Sequence, residues 1–371
     1  MKSIALFTIL LFLTSCEPWV DVFEGDLALE VIMFESSDIK EDTVVDFDSL
    51  KVVSWNIRNG FGRFPWIYDS CGDSVISDEN SIKNVLFNIA KKLDEIGADV
   101  VLLQEVDFLS KRSAYINQVQ YLLDNTSLNF GAYASMYKTD FAPSDGLGMV
   151  DGGNVVLSKY KLEDAQRIPL ALRTDQGSLE QYFYLRRNIL KVKIPQLSQN
   201  GKDFYAVNVH ATAFATDDTK QKHIDKYVEI LNEINSSGDL FVSGGDLNSV
   251  PPGSEIDFCE ADRCEGEICD GDYKNNSAYY GTYFGHFEGE PDLLVPLYNN
   301  YTAAIDLEDA NLPFHFTHAK STSFETDSIK FDRKLDYLFT NSDWHNGQTH
   351  QESWILSDHT AVSATFKLTA E

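Results

Sequence analysis

Polar side chains recur at the ends of apolar, strand-like segments, which is where an open α/β sheet places its sites. In chain order these motifs are Trp55-Asn56, Gln104-Glu105, Asn208-Val209-His210, Gly244-Gly245-Asp246-Leu247-Asn248 and Ser357-Asp358-His359. Residues i and i+2 of a strand share a face, so we expect Asn208 beside His210. Asp246 and Asn248 share a face wherever the strand geometry persists. Each motif alone fits an ordinary turn, cap or structural histidine, but their joint occurrence favours a reaction centre.

These residue types suit the hydrolysis of a phosphoester. The reaction needs a cation on the phosphate oxygens, an activated water and stabilisation of the charged transition state. Oxygen ligands such as the Glu105 carboxylate and the Asn56 carbonyl suit Mg²⁺ or Ca²⁺. A histidine held by an acid can donate to phosphate or assist proton transfer. A serine triad is disfavoured because Ser357, Asp358 and His359 are contiguous and no G-x-S-x-G motif accompanies them.

The elements that must position these residues alternate along the chain from Leu50 onward. Apolar runs predict strands at 51–56, 99–105, 154–158, 188–194, 204–210, 239–243, 334–340 and 361–368, with an edge strand at 27–34. Apolar residues at helical spacing predict helices at 82–96, 113–124 and 224–234, and Gly97 ends the first of them. The stretch 251–301, rich in Gly, Tyr, Asn and acidic residues, is interpreted as a long surface insertion. This alternation predicts one α/β domain at 50–371.

The N-terminus has the pattern of an export signal. Met1-Lys2 is basic, residues 4–13 are apolar but too few to span a bilayer, and Ser15-Cys16 follows. A small residue before a cysteine resembles the lipobox of bacterial lipoproteins, in which the signal is cleaved before the cysteine and the cysteine is lipidated. We therefore expect a signal at 1–16, lipid on Cys16, an acidic tether at 17–49 and a lipid-anchored protein on the periplasmic or outer surface of the bacterial cell envelope. The alternative is an ordinary secretory signal that ends near a cysteine.

Composition and charge restrict the partners. The chain has 30 Lys+Arg, 58 Asp+Glu and a net charge of −28, which disfavours a basic groove along a long nucleic acid. A phosphate substrate is still compatible with this charge because a bound divalent metal supplies positive charge locally. In an oxidising compartment, disulfides are expected among the remaining cysteines, with open pairing. These cysteines are Cys71, Cys259, Cys264 and Cys269.

The ordered motifs resemble the endonuclease/exonuclease/phosphatase superfamily, which includes pancreatic-type DNases and bacterial neutral sphingomyelinases. The resemblance covers residues from about 51 to 367 and rests on Ser-Trp-Asn56, Leu-Gln-Glu105, Gly153-Asn154, Arg187, Asn208-x-His210, Gly245-Asp246-Leu-Asn248, Leu-Asp336-Tyr and Ser-Asp358-His359. It implies a four-layered α/β sandwich, in which two mixed β-sheets pack face to face with helices outside. It also implies a metal-dependent phosphoester hydrolase.

The resemblance assigns a role to each metal-side residue. Glu105 corresponds to the main metal ligand, assisted by Asn56, and Asp358 to an acid near the metal. The implied cofactor is Mg²⁺, with Mn²⁺ or Ca²⁺ as alternatives. Arg58 departs from the pattern, because several nuclease relatives carry an acidic residue two positions after the asparagine. That departure weakens any expectation of a second carboxylate from this strand.

The catalytic and substrate-side roles come from the same resemblance. Asp246 corresponds to the residue that orients or deprotonates the attacking water, and Asn248 to a ligand of a phosphate oxygen. His359 corresponds to the histidine that contacts the scissile phosphate, oriented by Asp336, and His210 to a second histidine. Asn154 and Arg187 are expected on the substrate side, although the neighbouring Arg186 leaves the register of the arginine open by one.

The substrate is left open among three classes: extracellular DNA or RNA, a phospholipid head group and a small soluble phosphoester. The aromatic run at 279–287 could enter lipid, stack on a base or simply pack a loop. The alternative function is a surface lipoprotein that keeps the scaffold and binds a ligand or partner without hydrolysis. Hydrolysis of a generic phosphodiester with and without EDTA discriminates between the two.

Overall fold

The computed structural model describes residues 19–23, 30–40, 50–68, 71–254, 292–319 and 331–367. The predicted signal with Cys16, and the part of the insertion that carries Cys259, Cys264, Cys269 and the aromatic run, lie outside these ranges. Cys71 is disulfide-bonded, and its partner cysteine lies outside the described residues. None of the helices in the described part combines the length and the apolar character needed to cross a membrane.

The strands form two mixed sheets. Sheet 1 contains β1 (Val31–Glu35), β2 (Lys51–Asn56), β3 (Val100–Asp107), β4 (Phe130–Ala142), β5 (Gly148–Ser158), β12 (Asp343–Thr349) and β13 (Val362–Lys367), in the order β1-β4-β5-β3-β2-β13-β12. Sheet 2 contains β6 (Glu163–Pro169), β7 (Asn188–Lys193), β8 (Phe204–His210), β9 (Leu240–Asp246), β10 (Thr302–Ala303) and β11 (Asp336–Thr340), in the order β10-β11-β9-β8-β7-β6. The pairs β2/β3 and β8/β9 are parallel, and the other pairs are antiparallel.

The helices lie outside the sheets. They are α1 (Glu79–Ile96), α2 (Gln118–Asp124), α3 (Ser178–Tyr182), α4 (Thr219–Ser236), α5 (Val295–Asn300) and α6 (Leu307–Ala310). The helix α1 begins directly after Asp78, whose side chain accepts hydrogen bonds from the backbone N–H groups of Asn80 and Ser81. It ends at Gly97, which has a φ of 76°. The predicted first helix and its glycine stop are therefore confirmed.

Side chains alternate between the two faces of each strand, and they build three apolar cores. Between the sheets, side chains such as Val52 and Leu102 pack with Ala206 and Val242. On the opposite face of sheet 1, the next residues along the strands, such as Val53 and Leu103, pack with Ile82, Leu86 and Ile89 of α1. A third core joins sheet 2 to Ile224, Tyr227 and Leu231 of α4. The layers are thus helix, sheet, sheet and helix, and the predicted four-layered α/β sandwich is confirmed.

Several element bounds differ from the predicted ones. The helix expected at 113–124 begins only at Gln118, because Ala114 and Tyr115 have positive φ and Asn117 caps the Gln120 N–H. The strand expected at 334–340 begins at Asp336. Four strands, β4, β6, β10 and β12, were not predicted. The edge strand expected at 27–34 is present as β1, which pairs with β4, so part of the predicted tether belongs to sheet 1.

Candidate active site

The two parallel strand pairs bring the predicted motifs to one edge of the sandwich. Asn56 ends β2 in register with Gln104 of β3, and His210 ends β8 in register with Asp246 of β9. Asp336 begins β11 directly opposite Asp246. Carboxyl ends of neighbouring parallel strands lie at the same sheet edge, which is why residues far apart in sequence converge here.

The segment before β13 joins this edge through backbone contacts. The Trp55 indole Nε1–H donates to the His359 carbonyl oxygen at 3.1 Å. The Ser357 hydroxyl donates to the Asn56 carbonyl oxygen at 2.8 Å. These two bonds hold Asp358 and His359 beside the end of β2.

Glu105 reaches the site because β3 is bulged. Leu103 pairs with Val155 and Val106 with Gly153, so Gln104 and Glu105 together oppose the single residue Asn154 of β5. Glu105 has a φ of 53°, a left-handed conformation that is unfavourable for a residue with a side chain. Gln104 instead donates to the Asn208 side chain at 2.7 Å, between the sheets. The residue predicted to be the main metal ligand thus has a strained backbone conformation.

Two asparagine amides hold the Glu105 carboxylate. Asn56 Nδ2 donates to Oε1 at 3.0 Å, and Asn59 Nδ2 donates to Oε2 at 3.3 Å. The Asn56 oxygen accepts the Arg58 backbone N–H at 3.0 Å, and the Asn59 oxygen accepts from Arg112 Nη2 at 2.7 Å. Both amides are therefore oriented with nitrogen toward Glu105. Direct ligation of a metal by the Asn56 oxygen stays a prediction.

Asp246 lies at the centre of the cluster and is 1% exposed. Its Oδ2 accepts from Asn56 Nδ2 at 3.1 Å and lies 3.4 Å from His210 Nε2 and 3.8 Å from His359 Nε2. Burial and the neighbouring Asp336 raise the pKa of Asp246 to about 7, against the opposing effect of His359. A carboxylate that titrates near neutral pH suits a general base.

Asn248 stays beside Asp246 by a turn rather than by strand alternation. The residue has a φ of 47°, so the strand geometry ends at Asp246. The Asn248 backbone N–H donates to Asp246 Oδ1 at 2.9 Å, and the Asn248 side-chain amide donates to the Ala211 carbonyl oxygen at 2.9 Å. The side chain is thus fixed next to the end of β8.

The two predicted histidines differ in charge. His359 Nδ1 donates to Asp336 Oδ2 at 2.8 Å. Although burial opposes a charged ring, Asp336 and Asp246 raise the pKa of His359 well above its usual range. Burial, reinforced by Arg187, lowers the pKa of His210 well below its usual range. His359 is therefore an imidazolium and His210 a neutral imidazole.

Asp358 lies beside a guanidinium. Arg58 Nε is 3.5 Å from Asp358 Oδ2, and the Arg58 Nη atoms donate to the Gly62 and Phe64 carbonyl oxygens at 2.7 Å each. Although burial opposes ionisation, Arg58 lowers the pKa of Asp358 below its usual range. Arg58 thus gives this side of the site a positive charge where several nuclease relatives carry a carboxylate.

His318 is a site residue that the sequence did not indicate. Its Nδ1 lies 3.3 Å from Asp332 Oδ1, and its ring centroid lies 5.1 Å from that of His359. Potential ligand atoms of His318, Asp358 and His359 lie within 4.8 Å of one another, as do those of Asp246, Asp336 and His359. His318 belongs to no motif and reaches the site through tertiary pairing with Arg333 and His359, so the sequence carried no signal for it.

The substrate-side residues lie at the adjoining strands. Asn154 is fully buried and donates to the Asn188 backbone and side-chain oxygens, both at 3.1 Å. Arg187 is 7% exposed, and its Nε and Nη1 have no hydrogen-bond partner in the described part of the chain. Arg186 instead donates to the Gln181 carbonyl oxygen at 2.8 Å. These contacts favour Arg187 over Arg186 for the substrate side, and its role there stays a prediction; Arg187 is also the arginine that acts on His210.

The donor set fits a hard divalent cation at Glu105. This side chain is 29% exposed, and in the part of the chain that the structure describes its hydrogen bonds come from the neutral amides of Asn56 and Asn59. A carboxylate has about four lone-pair sites, so acceptor capacity is left for a cation. Oxygen ligands of this kind suit Mg²⁺, Mn²⁺ or Ca²⁺.

The fold and the cluster define the class of protein. Two mixed sheets between helix layers, with Asn, Glu, Asp and His converging at one edge, match the expectation from the sequence motifs. The sequence signature described as the Endonuclease/Exonuclease/phosphatase family matches residues 53–359. The chain therefore belongs to the Endonuclease/Exonuclease/phosphatase family, whose members are generally metal-dependent phosphoesterases.

Solved structures agree with this fold. The chain is similar to an endonuclease/exonuclease/phosphatase from Beutenbergia cavernae DSM 12333, with 16% identity over 85% of this chain and 70% of the other, and a TM-score of 0.52. Family proteins from Leptotrichia buccalis C-1013-b and Bacteroides vulgatus are each 16% identical over 86% of this chain, with TM-scores of 0.51. The matches cover 100% and 99% of those chains, respectively. Among curated proteins, none matches the sequence significantly.

Proposed function

We propose that the protein is an Mg²⁺-dependent phosphoester hydrolase of the bacterial cell envelope, in which water attacks phosphorus. Phosphodiesterase, nuclease and phosphatase activities all fall within this proposal. The observation that carries it is the position of Asp246, with a pKa of about 7, between the protonated His359 and the neutral His210. This arrangement separates a proton acceptor from a cationic donor within one buried cluster.

Glu105 would hold the metal, with Asn56 and Asp358 as the predicted assisting residues. A bound divalent cation withdraws negative charge from phosphate oxygens and orients the substrate. The amide donors on Glu105 restrict its rotation, and the Arg58 guanidinium holds Asp358 in place. These contacts organise the site before a substrate binds. The transition state is therefore stabilised more than it would be in a site with mobile side chains.

The remaining residues act on protons and on phosphate charge. Asp246 accepts the proton of the attacking water, since its pKa of about 7 allows it to be both deprotonated and basic near neutral pH. The His359 imidazolium, held by Asp336, stabilises charge that develops on phosphate oxygens. Asn248 and Arg187 are the proposed phosphate-side contacts, and the buried Nε and Nη1 of Arg187 have no hydrogen-bond partner in the described part of the chain.

The cell-envelope location rests on the proposed lipid at Cys16. The substrate classes are nucleic acid, a phospholipid head group and a small phosphate ester. The net charge of −28 makes a long polyanion the least favoured of the three at low ionic strength.

The test is hydrolysis of bis(p-nitrophenyl) phosphate by the purified protein with Mg²⁺, and again after EDTA. We expect hydrolysis that EDTA abolishes and added Mg²⁺ restores. A folded protein that binds Mg²⁺ but hydrolyses neither this diester nor DNA, RNA, sphingomyelin or small phosphate esters would contradict the proposal. That result would support the non-catalytic lipoprotein, which keeps the scaffold and binds a ligand or partner.

A further inference from the structure

Large apolar side chains are exposed together near the N-terminal end of the described chain. Trp19 is 57% exposed, Phe141 58% and Leu179 73%, and Phe183 is partly exposed. We call these four side chains the N-terminal apolar surface. Trp19 lies in the segment before β1, and Phe141 lies near the end of β4. Leu179 belongs to α3, and Phe183 directly follows α3.

Specific contacts hold this surface together. The rings of Trp19 and Phe183 have centroids 6.4 Å apart. The Val20 backbone N–H donates to the Tyr182 hydroxyl at 3.3 Å, and Val20 itself is fully buried. The Thr139 hydroxyl donates to the Trp19 carbonyl oxygen, and the Phe141 backbone N–H donates to the same hydroxyl at 3.2 Å. Trp19 is therefore anchored to the domain while its ring is largely exposed to solvent.

The lipid site proposed above lies immediately before this surface. Cys16 precedes Trp19 by three residues, and three residues span at most about 10 Å. A bilayer that holds a lipid on Cys16 is consequently within reach of the Trp19 ring. Tryptophan and other aromatic side chains are enriched at membrane interfaces, because an apolar ring with a polar edge suits that region.

We propose that the N-terminal apolar surface docks the domain on the bilayer that carries the lipid anchor. The charges around the surface favour contact with the apolar part of the interface rather than with anionic head groups. Lys138 is paired with Asp21 at 3.1 Å, and Asp140 and Glu180 are exposed beside Phe141 and Leu179. We therefore expect the domain to dock on zwitterionic vesicles, and we expect this docking to persist at high salt.

Docking also sets the direction in which the active site faces. Phe183 precedes Arg187, the substrate-side arginine, by only four residues. The surface therefore holds that side of the site close to the membrane plane, instead of letting it rotate freely about a tether. This inference rests on the proposed lipid at Cys16 and does not depend on the hydrolytic activity.

The test uses the full lipidated protein, extracted from cells and placed in phosphatidylcholine vesicles with brominated acyl chains, which quench nearby tryptophan fluorescence. We expect quenching in the wild type at low and high NaCl, and loss of most of it in Trp19→Phe. Trp344→Phe is the control, because Trp344 lies on β12 at the edge of sheet 1 opposite β1 and β4. Quenching that survives Trp19→Phe would overturn the proposal.

A second variant tests docking without removing the reporter. Phe141→Ser/Leu179→Ser keeps Trp19 and Cys16, and we expect its quenching to fall severalfold. Phe87→Ser/Phe314→Ser is the matched control, because both phenylalanines are more than half exposed and belong to other elements. Equal quenching in both double variants, or an intact mass that shows no lipid on Cys16, would overturn the inference. Hydrolysis of the soluble diester by the same samples tests the proposed function separately.

Discussion

At the scale of single residues, environment divides two histidines into different roles. His359 has a carboxylate on its Nδ1 and a second carboxylate near its Nε2, which together stabilise the charged ring. His210 is as deeply buried, but Arg187 opposes its protonation. An imidazolium stabilises developing negative charge, whereas a neutral imidazole can accept or relay a proton. Two histidine side chains thus have different roles within one cluster.

Replacing His359 with alanine should lower kcat by on the order of 10²- to 10⁴-fold, because it removes the cation that faces the transition state. Metal affinity and the melting temperature should stay near those of the wild type. Steady-state kinetics and a melting curve measure these quantities, and His345→Ala is the control because His345 is exposed. A folded His359→Ala enzyme with nearly full turnover would exclude this mechanism.

Replacing Glu105 with glutamine should weaken Mg²⁺ binding by at least about tenfold, because an amide contributes no full charge to a hard cation. Titration calorimetry measures the affinity without reference to turnover. Glu308→Gln, at an exposed position of α6, is the control. Equal affinity in Glu105→Gln and in the wild type would mean that Glu105 does not bind the metal.

At the scale of elements, Gly245 allows β9 to carry Asp246 into the site. The strand β9 lies between β8 and β11. Gly245 has a φ of 145°, and a Cβ there would lie 1.8 Å from the Val209 carbonyl oxygen. A side chain at this position would push β9 away from β8, and Asp246 is the next residue.

Gly245→Ala should therefore lower the free energy of unfolding by about 2 kcal/mol or more, because backbone strain and a backbone clash act together. Urea unfolding measures this difference. Gly177→Ala is the control, because nothing lies within 4 Å of a Cβ there and its φ is −63°. Wild-type stability in Gly245→Ala would show that β9 adapts to a side chain at this point.

The helix α4 is tied to the loops around the site by His223. Its Nδ1 accepts the Thr212 backbone N–H at 3.1 Å, and its Nε2 lies 2.7 Å from the Ala171 carbonyl oxygen, to which it donates as the neutral tautomer. Burial lowers the pKa of His223 to about 4, although the contact with Ala171 opposes this. The neutral ring is thus a structural link between sheet 2 and its helix layer.

This lowered pKa predicts a loss of stability in acid. Below about pH 6.5 the unfolded chain protonates His223 first, so the free energy of unfolding falls as the pH approaches 4 and then levels off. The contribution is on the order of 3 kcal/mol at about 1.4 kcal/mol per pH unit. Urea unfolding at neutral pH and at about pH 4 should show a smaller loss in His223→Asn than in the wild type, whereas His345→Ala should lose as much as the wild type. An unchanged loss in His223→Asn would contradict the prediction.

At the scale of the whole molecule, a strongly acidic chain is paired with a site for anionic substrates. The net charge of −28 repels polyanions at long range. Within the site, Arg58, Arg187 and the His359 imidazolium supply positive charge locally. The proposed lipid anchor would add a second whole-molecule property, because it would restrict the substrates that the protein meets to those near the membrane.

Replacing Cys16 with serine should release the protein from the membrane fraction or leave its precursor unprocessed, because no thiol is then available for lipid attachment. Cell fractionation and the apparent mass on a gel measure both outcomes. Cys71→Ser is the control, because Cys71 lies within the domain and is disulfide-bonded. Unchanged fractionation together with unchanged processing in Cys16→Ser would remove the lipoprotein interpretation.

Much of the fold could be predicted because local spacing of apolar residues reports secondary structure. The helix α1 and the strands β2, β3, β8 and β9 follow from such spacing. The long strand β4 was not predicted, and the helix predicted at 113–124 was too long. Residues such as Ala114, with its positive φ, adopt conformations that depend on their neighbours in the fold rather than on the local pattern.

The sequence by itself determined the family, the layered architecture and the identity of the residues that converge, because residue type and order along the chain carry that information. Only the tertiary structure decided their contacts and charges. Asp336 and His359 are 23 residues apart and meet through the sheet, and Asn59 and Arg112 orient Glu105 without belonging to any recognised motif. A pKa depends on burial and on groups that are distant in sequence, so the protonation of Asp246, His210 and His359 follows from the fold alone.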